Sequence, residues 1–89
     1  MTSTEAALGI ETRISAADRR YGPYASTHEA LGVIVEEFDE LRAAIHANAL
    51  GAIQYEALDL AAALIRLHDC LLFPASNPNN AKTIARSIK

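Results

Sequence analysis

Cysteine is nearly absent from this chain, and so is anything resembling an export or membrane signal. Among 89 residues only Cys70 carries a thiol, which excludes an intrachain disulfide and a cysteine-based zinc cage. Met1-Thr2-Ser3-Thr4-Glu5 offers neither the positive start nor the apolar core of a signal peptide. The most apolar stretch, residues 57–72, is interrupted by Asp59, Arg66, His68 and Asp69, too many charges for a membrane span. Positive charge is scarce as well. Eight Lys and Arg against eleven Asp and Glu leave a net charge of −3, the wrong balance for a general nucleic-acid binder. Strand-like alternation, internal repeats and low-complexity tracts are missing. These absences set the expectation of a soluble cytoplasmic protein that engages neither membrane nor nucleic acid.

What the chain does have is apolar surface: 51% of residues are hydrophobic and 21% charged. A single domain of this length buries a thin core, so the excess points to self-association. Helical periodicity predicts an all-α fold of one domain over residues 1–89, a small bundle with a central antiparallel helical hairpin completed by oligomerisation. The first helix is expected over residues 4–20, ending in Arg19-Arg20 before the breaker Tyr21-Gly22-Pro23-Tyr24. Ser26-Thr27-His28-Glu29 reads as a capping box that opens a second helix over residues 26–47. Asn48 and Gly51 are the residues that tolerate a turn, and a third helix is expected over residues 52–72. Asn77-Pro78 is suited to start a fourth over residues 78–88.

Two acidic pairs carry the functional signal. Glu37 and Glu40 lie on the second helix, Glu56 and Asp59 on the third, and each cross-pair is centred on Asn48. If the two helices fold back there, Glu37 comes level with Asp59 and Glu40 with Glu56. Residues three apart differ by about 60° around a helix, so each pair shares a face. On the second helix that face is apolar: Ala30, Val33, Ile34, Leu41 and Ala44 flank Glu37, with Glu40 at the edge, while Asp39, Arg42 and Ala43 point away. The third helix is apolar almost all round, as in a helix buried between several neighbours. An unpaired buried carboxylate costs several kcal/mol, of order the stability of a small domain. Four of them need basic side chains or a metal, and Arg66, about two turns from Asp59, is the main basic residue on those faces. Metal is the better solution. Carboxylates are hard oxygen donors that suit Mg²⁺ or Mn²⁺ rather than Zn²⁺. No Glu or Asp lies three residues before His28, His46 or His68, which argues against a ferritin-like di-iron bundle.

Glu36-Glu37-x-x-Glu40, fifteen residues and Glu56-x-x-Asp59 together resemble the metal-binding motif of the all-α nucleotide pyrophosphohydrolases, the MazG-like family. The resemblance spans residues 21–69, from Tyr21-Gly22 through His28-Glu29-Ala30 to Arg66-Leu67-His68-Asp69. It implies Mg²⁺-dependent cleavage of a nucleoside triphosphate, ribo- or deoxyribo-, to the monophosphate and pyrophosphate by a homodimer or homotetramer. Carried over by position, Glu37, Glu40, Glu56 and Asp59 are the expected ligands of one or two metal ions, with Mn²⁺ as a substitute. Glu36 and Glu37 are the expected catalytic acids, Glu36 supporting the site or positioning the attacking water. Downstream the chain departs from the family: Asn79 and Asn80 precede Lys82, where members commonly place a Lys and an Asn with basic residues on a helix.

Phosphate oxygens beyond the metal need donors, and Arg19, Arg20, Lys82 and Arg86 are the cations near helix ends. Tyr21, Tyr24 and His28 are candidates to stack on a base, loop packing being the alternative for the tyrosines. His46 and His68 read as structural or exposed, and Cys70 as packing. Two other readings stand beside the hydrolase. One is a catalytically silent oligomerisation or partner-binding module of the same fold. The other is an unrelated bundle whose acids pair with basic groups.

Overall fold

A computed structural model describes residues 3–72. Among the described residues the regular elements are three helices, without a strand: α1 is Ser3–Tyr21, α2 Thr27–His46 and α3 Leu50–Leu72. The helix expected over residues 78–88 lies outside the described residues, and none of the three helices is long and apolar enough to cross a membrane. α3 is the central element, packed against both α1 and α2.

The local signals explain the boundaries. Ser26 caps α2 from an extended backbone, its Oγ accepting from the Glu29 amide at 3.1 Å. The Glu29 carboxylate reaches one residue further back than a standard box, accepting from Ala25 N–H at 3.3 Å rather than from the cap residue itself. α1 stops at Gly22, which takes φ 72 and donates to the Asp18 carbonyl at 2.9 Å; a left-handed residue is the usual end of a helix.

Asn48 closes α2 alone. It holds φ 54 while its N–H donates to Ile45 O and that of Ala49 to Ala44 O. That is the double carbonyl satisfaction of a Schellman end. The carbonyl of Ala49 already accepts from Ile53 N–H at 2.9 Å. The third helix therefore starts at Leu50, two residues before the expected position. Gly51 is not a turn residue: it lies in the first turn of α3, with open space around its Cα. One left-handed residue suffices to end α2.

The core is thin and, apart from one tyrosine, made of alanine. Tyr24, Ala30, Ala44, Ala62 and Ala63 are the buried hydrophobic residues. Alanines on α2 and α3 let the helix axes approach closely, and Gly9 does the same between α1 and α3, where a Cβ would sit 3.1 Å from Leu58 Cδ1. Large apolar side chains remain uncovered, among them Leu31, Val35, Phe38 and Ile45 on α2 and Leu50 and Leu64 on α3.

Candidate functional site

α2 presents to α3 the face that its periodicity assigned. Ala30 and Ala44 are buried, Val33, Ile34, Glu37 and Leu41 are partly covered, and Asp39, Arg42 and Ala43 face solvent. Glu37 is thus drawn inward by the same stripe that packs the helix. On α3, Glu56 and Asp59 are partly covered and Ala62 and Ala63 are buried. Each of Glu37, Glu40, Glu56 and Asp59 offers a carboxylate oxygen to one cluster, and these oxygens lie within 4.8 Å of one another. Glu40 is the exposed member, at the edge of the stripe.

Two oxygens in this cluster are stranded. Glu37 Oε2 and Glu56 Oε2 are cut off from solvent and have no hydrogen-bond partner, a costly state for a carboxylate. The electrostatics register that cost. Burial pushes the Glu37 carboxyl up to about 7, and the neighbouring Glu40, Asp59 and Glu56 charges add to the rise. Glu56 is raised in the same direction, by burial first and then by Glu40. Acids that repel one another and lack donors are suited to a shared cation.

One acid in the cluster has a protein partner. Arg13 Nε donates to Asp59 Oδ1 at 2.7 Å, both side chains 23% exposed. Its Nη1 donates to the Gly9 carbonyl at 3.0 Å, and its guanidinium lies over the Tyr55 ring at 4.8 Å. Arg13 was not among the residues assigned to the site from sequence. It sits on α1, outside the two acidic helices, and helical wheels of α2 and α3 carry no information about what α1 brings. A trace is present only in Gly9, four residues earlier, the spacing at which a side chain lies over the preceding turn.

Arg66, the basic residue expected to share the acidic faces, is committed elsewhere. Nε donates to Asp18 Oδ1 at 3.0 Å, Nη2 donates to the Gly22 carbonyl, and the guanidinium lies 4.5 Å from the Tyr24 ring centroid. It fastens the α1–α2 connection to α3. Helical angle placed it on the Asp59 face, but two turns of rise carry it to the other end of the contact. Tyr24 is buried beside it and donates its hydroxyl to Ala63 O at 3.3 Å. That is the loop-packing alternative.

A cleft of about 650 Å³ adjoins the acids. Glu36, Glu37 and Asp59 line one part, Arg13, Arg20 and Arg66 contribute cations, and Tyr21, Tyr24 and Tyr55 bring aromatic surface. Glu36 therefore faces the cleft without joining the four-acid cluster. Of the expected phosphate donors, Arg20 reaches the cleft, Arg19 is exposed outside its lining, and Lys82 and Arg86 lie beyond the described residues. His28 and His46 are exposed away from it, while exposed His68 pairs with Asp69 at 3.0 Å. Cys70 Sγ donates to Leu67 O at 3.1 Å on its own helix.

The arrangement can hold a hard divalent ion beside a cleft of mixed charge and aromatic character. Comparison of the chain with protein-family models, with curated proteins and with solved structures gave no match.

Proposed function

We propose that the chain is a Mg²⁺-dependent nucleoside triphosphate pyrophosphohydrolase, converting an NTP or dNTP and water to the monophosphate and pyrophosphate in the cytoplasm. The observation that carries this reading is the pair of stranded oxygens on Glu37 and Glu56 inside a four-carboxylate cluster that opens on a cleft lined with arginine. The donor set fits the ion: four carboxylates are hard ligands for Mg²⁺, with Mn²⁺ as a substitute. Glu37, Glu40, Glu56 and Asp59 would hold it. When bound, magnesium supplies charge neutralisation of the triphosphate and polarisation of an α-phosphoryl oxygen.

The remaining work falls to the chain. Arg20 presents a guanidinium to phosphate oxygens in the cleft, where bidentate hydrogen bonding suits it. Glu36 and Glu37 orient a water in line with the α-phosphorus. As water adds, its proton passes to one of these carboxylates, the bond from that phosphorus to the bridging oxygen of the β-phosphate breaks, and pyrophosphate leaves. Catalysis of this kind is mostly positioning and charge stabilisation. The α2–α3 hairpin with α1 forms half of a larger bundle in this reading. The uncovered Leu31, Val35, Phe38 and Ile45 suit a homodimer or homotetramer, since apolar patches of that kind mark association surfaces.

A second reading, a catalytically silent module that assembles by the same surface, is favoured by the Arg13–Asp59 pair, which gives one acid a protein cation. Incubation with a panel of NTPs and dNTPs plus Mg²⁺, read as pyrophosphate release, separates the two. Hydrolysis is expected with the wild type, and Glu37→Gln or Asp59→Asn should lose activity by about 100-fold or more. Full activity in either variant removes the ligand assignment; no release from any nucleotide leaves the silent module.

A further inference from the structure

Arg13 occupies an unusual place. Among the described residues it is the one cation paired with the acid cluster, yet it contacts one acid of the four. Its remaining contacts are a backbone carbonyl one turn back and the face of Tyr55. Neither ties it to Asp59. The side chain can keep its Gly9 anchor while its Nε gives up the carboxylate, because the anchor is on its own helix. The open volume next to it is the cleft, which Arg13, Tyr55 and Asp59 all line.

We propose that Arg13 is an exchangeable counter-ion: it holds Asp59 while the acidic site is without metal, and gives that oxygen up to an incoming divalent cation. The released guanidinium then becomes the donor that binds the phosphate chain of the ligand in the cleft. This inference rests on the metal-dependent reading above and adds a division of labour to it. Three of the four carboxylates are left to attract the ion, and the fourth is released only on arrival. Metal and phosphate binding become linked, since the ion that takes Asp59 also delivers a free guanidinium. A ligand that exploits a state made available by the first gains affinity from it.

The chemistry of the pair allows the exchange. A partly exposed arginine–carboxylate pair contributes little net stability, so its loss is readily offset by a divalent ion on four carboxylates. Guanidinium also matches phosphate as well as carboxylate in a two-pronged geometry. Nothing covalent changes, and the net charge of the site rises by that of the ion.

The exchange predicts effects of opposite sign from one substitution. Mn²⁺ binding and inorganic pyrophosphate binding in saturating Mn²⁺ are measured by calorimetry on the full chain, with circular dichroism as a check of folding. Arg13→Gln should bind Mn²⁺ about five- to tenfold more tightly, because the competitor for Asp59 is gone, and pyrophosphate about tenfold more weakly. Arg20→Gln, removing a cation of the same cleft whose guanidinium lies against Tyr21 at 5.2 Å, should change Mn²⁺ affinity by less than about twofold. A residue that merely stabilised the fold would weaken both ligands together. Weaker or unchanged Mn²⁺ binding in Arg13→Gln overturns the exchange. So does equal tightening in Arg20→Gln, which would reduce the effect to the general field, and unchanged pyrophosphate binding removes the donor role. Should Arg13→Gln fail to fold, Arg13→Lys replaces it. Its more strongly hydrated ammonium should release Asp59 more easily and tighten Mn²⁺ about two- to threefold; no tightening counts against the proposal. A wild type that binds no Mn²⁺ is a different failure, that of the metal site itself.

Discussion

Two arginines tie α3 to α1, and they do so in opposite ways. Arg66 spends its guanidinium on Asp18, the Gly22 carbonyl and the Tyr24 ring, and its side chain is only 9% exposed. Every contact at that end is a fastening, and the connection between α1 and α2 hangs on it. Arg13 meets Asp59 at 2.7 Å with both partners partly in solvent, next to three further carboxylates, two of which carry a stranded oxygen. One end of the α1–α3 contact is electrostatically complete and the other is not. A small domain has little stability to spare, so an incomplete site of four acids is a feature that folding alone does not favour. In the proposed reading the contrast separates structural charge from charge kept for a ligand.

The contrast is broken most forcefully at the complete end. Arg66→Met removes the donor to the Gly22 carbonyl and the guanidinium over the Tyr24 ring, and unfolding free energy should fall by about 2–3 kcal/mol, measured by urea denaturation. An equal loss in Arg13→Gln would erase the distinction between the two ends.

The incomplete end should respond in the reverse sense. Glu37 has its folded value raised to about 7 from an ordinary 4.5. A raised acid binds more protons folded than unfolded, so its contribution is present in full below the unfolded value. That contribution is lost as pH climbs through the folded one. Without metal the protein should therefore be more stable at pH 5 than at pH 8, by about 1–2 kcal/mol once solvent screening is discounted. Glu37→Gln, which cannot ionise, should flatten that slope and raise the melting temperature at pH 8 by several degrees, roughly 4–8 °C per kcal/mol. A variant that melts lower at pH 8 would show the Glu37 carboxylate to be stabilising.

The smallest effects test the packing that brings Arg13 to Asp59. Gly9→Ala forces a Cβ to 3.1 Å from Leu58 Cδ1 and 3.4 Å from Arg13 Nη1. The ordinary helix gain of about 1 kcal/mol for alanine should be cancelled or reversed there. Gly32→Ala, with nothing within 4 Å, should keep that gain. Paired chemical denaturation of the two variants measures the difference, and equal gains would mean that α1 and α3 are not held close at Gly9.

Much of the α2–α3 region could be read from the chain because its signals are local. The periodicity around Glu37 marked which face of α2 turns inward, and Asn48 marked where α2 ends. Gly51 misled because two residues able to end a helix lay close together, and the hydrogen bonds needed only one. The arginines were illegible for a different reason. Angle and spacing place Arg66 on the Asp59 side about two turns further along α3, but neither says what α1 brings to that point, where Asp18 and Gly22 take the guanidinium. Arg13 depends on how α1 crosses α3, a contact between apolar and glycine surfaces whose one local cue is Gly9.

The most direct test of the central claim is a calorimetric titration of the wild-type protein with Mn²⁺ at pH 8 and pH 6. If the four carboxylates hold a divalent ion, binding at pH 8 should be saturable. It should weaken about fivefold or more at pH 6, where Glu37 must first release a proton, and be abolished in Glu37→Gln. Absence of Mn²⁺ binding at pH 8, or binding that Glu37→Gln leaves intact, would contradict the account.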